Sequence, residues 1–310
     1  MRILLLGGTG FIGSHVASRL LAGGHIVAII HRGRTPVPPG CVAFVSDRAD
    51  APALHRAVAS FAPDTLVDLI AYSPGDADQL LAVLSSAIPR LVVLSSGDVY
   101  ATYGAFLGHE PPPRNLGPVP ETGPLRTHHF PYRAQASSSS DFRHDYEKIL
   151  VEERFRTAAP MPVTVLRLPM VYGPGDLQQR VLVDLRRLRE SPGGLTLHPD
   201  ESNWRCTRGY VADVAAAIAL AATHPRAVGQ TYNVGEADAW TQHAWLAALA
   251  REVRWTGTIR ADLAGVPSRP ARWTVPLVIA TDRIRRELGY VEPVGRSLGL
   301  HRSVLAAASC

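Results

Sequence analysis

Lysine is almost missing from this chain: of its 32 basic residues, one is a lysine, Lys148, and the rest are arginine. A compact ammonium and a planar guanidinium are not interchangeable. A lysine kept against that background marks a place where a small cation is required, unless it is a stray on a helix surface. Cysteine is scarce too. Cys41, Cys206 and Cys310 are too few for a disulfide framework and lack metal-site spacing, which leads us to expect a reducing cytoplasm. The longest apolar runs, such as "RILLLGG" and "RLVVLSSG", are too short to cross a membrane, and with Met1-Arg2 leading straight into a strand no cleavable signal is expected. The +5 charge comes without a basic run or an aromatic-interleaved patch, so no nucleic-acid partner is expected. A modest basic excess also suits phosphorylated cofactors or substrates. His15, His25, His109, His128 and His129 stand in no metal-binding spacing, and no metal site is expected.

What is present is an alternation of short apolar strands with helical patterns. "RILLLGG", "HIVAIIHRG", "VAFVSD", "TLVDLIAY" and "RLVVLSSGDVY" read as strands. Between them "FIGSHVASRLLAGG", "APALHRAVASFAP" and "DADQLLAVLSSAI" read as helices. Continuous Val/Ile/Leu strands separated by helices predict an α/β fold, a Rossmann-type doubly wound parallel sheet covered on both faces. From Gly104 to Ser140 the pattern gives way to Pro, Gly, Ser and His, the composition of a lid or long functional loop. Helix resumes near Asp141 and is predicted to run through "YEKILVEERFRTA". Residues 1–172 read as the dinucleotide-binding domain and 173–310 as a smaller C-terminal substrate-binding lobe, with a strand near 230–235 returning to the main sheet.

"GGTGFIG" places Gly7, Gly10 and Gly13 between the first strand and the first helix, with Phe11 and Ile12 opening that helix. Glycines there allow a tight turn and close backbone approach, so that helix-terminal N–H groups hold a pyrophosphate. The strand before, the helix after and the second strand about twenty residues on give the pattern its specificity. An acidic residue is missing after the second strand, where it would bind the ribose 2′-hydroxyl. His31, Arg32 and Arg34 stand there instead, and guanidinium groups suit a 2′-phosphate. NADP is therefore the expected cofactor, with NAD as the alternative.

With these pieces placed, the chain resembles the extended short-chain dehydrogenases/reductases of the nucleotide-sugar epimerase/dehydratase type along nearly its whole length. The motifs that carry the resemblance are "GGTGFIG", "SDR" at 46–48, "DLIAY", "LSSGDVY", "LRLPMVYGPGD", "RGYVADVA", "TYNVG" and "RRELGY". It implies an oxidoreductase or epimerase acting on a carbonyl/alcohol pair of a sugar nucleotide or secondary metabolite. It also implies Asp47 and Arg48 at the adenine, Ala71 and Pro169 along the cofactor, and Ser96 as the catalytic hydroxyl. Arg205 and Arg208 fall where a substrate diphosphate is often bound. Asp98 falls where dehydratases carry acid, but its neighbour Gly97 does not, which favours epimerase or reductase. A homodimer is compatible with the family; the partner expected is a small-molecule substrate.

Family members carry Tyr-x-x-x-Lys on the helix after the lid, and Lys148 resembles that lysine, which anchors the nicotinamide ribose and lowers the tyrosine's pKa. Four residues earlier stands His144, not tyrosine. Three readings are open. In a continuous helix His144 shares a face with Lys148 and becomes the proton donor, while Tyr146 points roughly opposite. If the first turn is irregular, Tyr146 or the lid residue Tyr132 takes the role. If neither holds, the chain is a non-redox or regulatory member that has lost the catalytic tyrosine.

Overall fold

The computed structural model describes residues 1–85, 88–263 and 271–308; Cys310 lies outside them. The apolar runs form the anticipated parallel strands: β1 (Arg2–Leu6), β2 (Ile26–His31), β3 (Val42–Val45), β4 (Thr65–Asp68), β5 (Leu91–Ser96) and β6 (Val163–Leu168). Helices α1 (Phe11–Ala22), α2 (Ala51–Phe61) and α3 (Pro74–Leu81) connect the first five. After β5 come α4 (Ala101–Phe106), the long loop, α5 (Phe142–Asp145) and α6 (Lys148–Ala158). β7 (Met170–Tyr172) follows β6 directly, and α7 (Arg180–Arg189), β8 (Gly194–Leu197), α8 (Pro199–Asn203) and β9 (Arg208–Tyr210) lead to α9 (Val211–Thr223) and β10 (Thr231–Asn233).

The sheet has seven parallel strands in the order β10-β6-β5-β4-β1-β2-β3. Strand order reverses at β1 and β4, so a crevice opens at their carboxyl ends, where such sheets bind ligands. Both faces are covered. On one, Val16, Ala17 and Leu20 of α1 pack with the alanine-rich α9. On the other, Leu54 and Phe61 of α2, Leu80 of α3 and Val151 and Phe155 of α6 form a second apolar layer.

Beyond the sheet, β7 pairs with β9, and β8 pairs with β11 (Thr258–Ala261) after α10 (Gln242–Glu252). Helices α11 (Asp282–Leu288) and α12 (Arg296–Ala308) complete the chain. The motif "LRLPMVYGPGD" is thus divided between two strands in different sheets, β6 and β7, parted at Pro169, which has no N–H to continue a ladder. No helix among the described residues is long and apolar enough to cross a membrane.

A buried polar network ties the sheet to the helix that follows the long loop. Arg167 of β6 pairs bidentately with Glu152 of α6 (Nε–Oε1 2.9 Å, Nη2–Oε2 2.8 Å), and Ser95 of β5 donates to the same carboxylate at 2.5 Å. Arg167 Nη1 also donates to the Tyr100 hydroxyl and to the loop carbonyl of Glu121. Removing one member of a buried ion pair leaves the other uncompensated and costs about 3–5 kcal/mol. Glu152→Ala is therefore expected to lower urea-unfolding stability by about that amount, and a loss below about 1 kcal/mol would show that the network is dispensable.

Candidate active site

The glycine loop is built as a phosphate cradle. Gly7 has φ of 93°, and a Cβ on Gly13 would lie 2.3 Å from the Gly7 carbonyl oxygen, so α1 runs directly against the turn. Gly10 at the helix N-cap supplies no side-chain cap, and the first turn carries no acidic residue, which leaves its N–H groups for a ligand. Arg32 and Arg34 are exposed just past β2, and neither makes a hydrogen bond or ion pair among the described residues. Asp47 is exposed with one carboxylate oxygen on the Ala49 N–H. Arg48 is already engaged inside the protein, donating to Asp68 Oδ2 at 3.1 Å and to the Asp76 carbonyl at 2.7 Å. It braces the ends of β4 and α3 more than it presents charge to a ligand. These residues fit a dinucleotide: glycines and free N–H groups for the pyrophosphate, an exposed carboxylate at Asp47 just past β3, and exposed guanidinium groups after β2.

The continuous helix expected from Asp141 onward does not form. α5 ends at Asp145, Tyr146 and Glu147 adopt extended backbone, and α6 begins at Lys148. The cause is Glu147. Its carboxylate accepts from both Arg126 nitrogens (Nη1–Oε2 2.8 Å, Nη2–Oε1 2.7 Å) and from the Phe130 N–H. It also caps α6 through the Ile149 N–H, while its own N–H is bound by the Tyr72 carbonyl. Both partners of the ion pair are wholly buried. Burial pushes the Glu147 carboxyl up, but the Arg126 contacts outweigh it and hold the group below its usual range.

The break corrects the helical-face argument. His144 does not share a face with Lys148; its ring is 36 % exposed and its Nδ1 is paired with Asp145 at 2.8 Å. Tyr146, expected to point the opposite way, turns inward and is buried. Its hydroxyl donates to Asp98 Oδ2 at 2.7 Å. Lys148 is buried at the start of α6, where Nζ donates to the carbonyls of Ala71 (2.6 Å) and Leu94 (2.9 Å) at the ends of β4 and β5. It lies 4.9 Å from the Tyr72 ring centre and 5.9 Å from that of Tyr146. Burial lowers its pKa to about 8.

Beside these groups is a cavity of about 380 Å³ at the carboxyl ends of β5 and β6. Ser96, Asp98, Tyr103, Tyr132, Tyr146 and Pro169 all contribute to its wall; neither His144 nor Lys148 does. Tyr132 brings its hydroxyl to 3.1 Å from Asp98 Oδ2 and 2.9 Å from the Tyr103 hydroxyl. When Tyr132 donates to Asp98, it accepts from Tyr103. Burial raises the Asp98 pKa, against the pull of the Tyr146 hydrogen bond and of Arg126 and Lys148. Tyr146 is held well above the ordinary phenol range, first by burial and then by the Asp98 carboxylate, with Ser96 pulling the other way. Tyr132 is raised by the same causes, and Tyr103 is pushed up to about 12. Lys148 thus does not leave Tyr146 with a lowered pKa in this arrangement.

Arg205 and Arg208 are absent from the cavity wall. Arg205 donates to the Ala239 carbonyl at the surface, and Arg208 is buried on Gln242 over the Trp245 ring. Arg143 and Arg180 reach the cavity instead, each already paired, with Asp141 and Asp176. Sequence reading missed Arg126, Glu147 and Tyr103, because nothing local distinguishes a buried arginine or glutamate from a solvated one. No metal-binding group of His, Cys, Asp and Glu occurs among the described residues.

Comparison with known proteins bears on the family and on the fold. A curated relative, 2'-dehydrokanamycin reductase of Streptomyces kanamyceticus, is 28% identical over 236 residues, covering 74% of this chain. The match spans only 60% of that protein's length. UDP-glucose 4-epimerase of Thermus thermophilus, solved with NAD, superposes with a TM-score of 0.69 at 23% identity, covering 99% of each chain. UDP-glucose 4-epimerase of Thermotoga maritima, solved with UDP-glucose, gives 0.71 at 18% identity over 100% of this chain and 99% of that one. These two likenesses concern the fold. The model of the NAD dependent epimerase/dehydratase family matches residues 3–235, and the chain belongs to that family.

Proposed function

We propose that the chain is an NADP(H)-dependent oxidoreductase, a reductase or epimerase working on a carbonyl or secondary alcohol of a sugar-like or secondary metabolite, with Tyr146 exchanging the proton. The observation that carries this reading is the meeting of the Tyr146 hydroxyl with Ser96 and Asp98 in one cavity wall, two residues along the chain from the buried Lys148. Residues 173–310 supply the rest of the cavity, through Gln178, Arg180, Thr207, Leu277 and Ile279, and act as the substrate lobe. The reductase among the relatives favours a redox outcome, as does Gly97 where a dehydratase would carry acid.

When bound, the nicotinamide group supplies or accepts the hydride. The chain's own residues handle the proton. Tyr146 is a phenol kept neutral by burial and by Asp98, so it is ready to give its proton to a substrate oxygen. Burial and that carboxylate keep the phenol in its acid form, the form that donates a proton when a carbonyl is reduced. Ser96 orients the oxygen from the end of β5, and Asp98 links Tyr146 to Tyr132 and Tyr103 as a route for proton return. Lys148, an ammonium held on two carbonyls, anchors the ribose end. Arg32 and Arg34 hold the 2′-phosphate.

Three outcomes are expected. Tyr146→Phe should reduce turnover of a carbonyl substrate by about 10²–10⁴ while leaving cofactor affinity nearly unchanged, and His144→Ala should retain most of the rate. The reverse pattern would restore the histidine reading, and no turnover in the unmodified protein would favour a non-redox member. Arg32→Ala should weaken NADPH about tenfold and barely affect NADH, because it removes a charge-assisted contact; tighter NADH than NADPH binding by the unmodified protein would overturn the assignment. Because Lys148 is the only lysine, ¹³C-lysine labelling gives one ε-carbon signal. That signal should titrate near pH 8 instead of the ordinary lysine value of 10.5. Since the unfolded chain then holds the extra proton between those values, this group makes stability rise with pH across that window. Titration near 10.5 would show that the ammonium is not buried.

A further inference from the structure

The carboxylate of Asp98 is used unevenly. Oδ2 takes the hydroxyls of both Tyr146 and Tyr132, whereas Oδ1 is buried with no hydrogen-bond partner among the described residues. The residue is 4 % exposed and forms part of the cavity wall. Its backbone is fixed at both ends: the N–H donates to Ser96 Oγ at 3.2 Å, and the carbonyl accepts from Arg126 Nε at 2.9 Å. Oδ1 is therefore an acceptor without a donor, held in place beside the proton-exchanging phenol. An orphaned buried acceptor is costly, and that cost is recovered when a ligand brings a donor.

We infer that Asp98 Oδ1 reads the substrate, accepting a hydrogen bond from a hydroxyl or ammonium on the carbon next to the one whose oxygen meets Tyr146. This rests on the reading of Tyr146 given above. Oδ1 lies one O–C–O span from the oxygen that holds Tyr146, the scale on which neighbouring ring substituents are spaced. The charge pattern agrees. The cations that reach the cavity, Arg143 and Arg180, are paired with Asp141 and Asp176, and the arginines expected to bind a diphosphate face elsewhere. The cavity selects a vicinal hydroxy or amino carbonyl compound over one with a single polar group.

The test is oxidation by NADP⁺ at pH 8 of three matched alcohols: cyclohexanol, trans-cyclohexane-1,2-diol and trans-2-aminocyclohexanol. The unmodified protein should prefer the diol or the amino alcohol to cyclohexanol by about tenfold in kcat/KM, the effect of one hydrogen bond to a charged group. In Asp98→Asn, which places an amide donor or a neutral acceptor at the same point, that ratio should fall toward one whatever happens to the absolute rate. Tyr132→Phe, which removes a partner of Oδ2 and leaves Oδ1 alone, should keep the ratio. Equal rates for the three alcohols in the unmodified protein, or an unchanged ratio in Asp98→Asn, would overturn the inference while leaving the oxidoreductase reading intact. Turnover of none of them would remove both.

Discussion

Glu147 stands in the chain between Tyr146 and Lys148, and its carboxylate is fully engaged inside the protein. Arg126 grips both oxygens, Phe130 donates to one of them, and the first turn of α6 is capped by the other. A helix running through this point would carry the side chain away from Arg126 and leave two buried charges unpaired, a cost of several kcal/mol. The extended backbone at Tyr146 and Glu147 is the lower-energy solution, since it gives up only a few helical hydrogen bonds near helix ends. From that one constraint follow the inward turn of Tyr146, the start of α6 at Lys148 and the outward position of His144.

The same guanidinium reaches further. Arg126 Nε donates to the Asp98 carbonyl, and Nη1 donates to that of His128, so a single side chain fixes the turn after β5, the loop before Tyr132 and the break before α6. Those are the three segments that bring Asp98, Tyr132 and Tyr146 together. The Arg167–Glu152 pair does comparable work one layer below, locking α6 to β5 and β6. The cavity's hydroxyl and carboxyl groups thus sit on segments that are cross-braced by buried ion pairs, which is how a cavity on an open α/β sheet keeps its hydroxyls in register.

What is legible in the sequence is local. The glycine loop declares itself because strand, tight turn and helix are contiguous. The strands are legible as unbroken apolar runs, and Lys148 through its rarity. The region around residue 144 is not legible, because helical spacing says where a side chain points only if the helix continues. Whether it continues is decided by Arg126, 21 residues upstream in a proline-rich segment with no periodicity of its own. Arg205 and Arg208 illustrate the same limit: their side chains are claimed by Ala239 and Gln242, partners remote in sequence. Tyr146 is visible from the sequence only as the alternative that an irregular first turn allows.

The proposed chemistry turns on which side chain meets the substrate oxygen. A crystal structure with NADP⁺ bound tests this most directly. It should show the Tyr146 hydroxyl, with Ser96, beside the nicotinamide, Lys148 Nζ directed to the ribose hydroxyls, and His144 outside on Asp145. A helix unbroken from Asp141 through Lys148, with the His144 ring beside the nicotinamide and Tyr146 turned away, would contradict it.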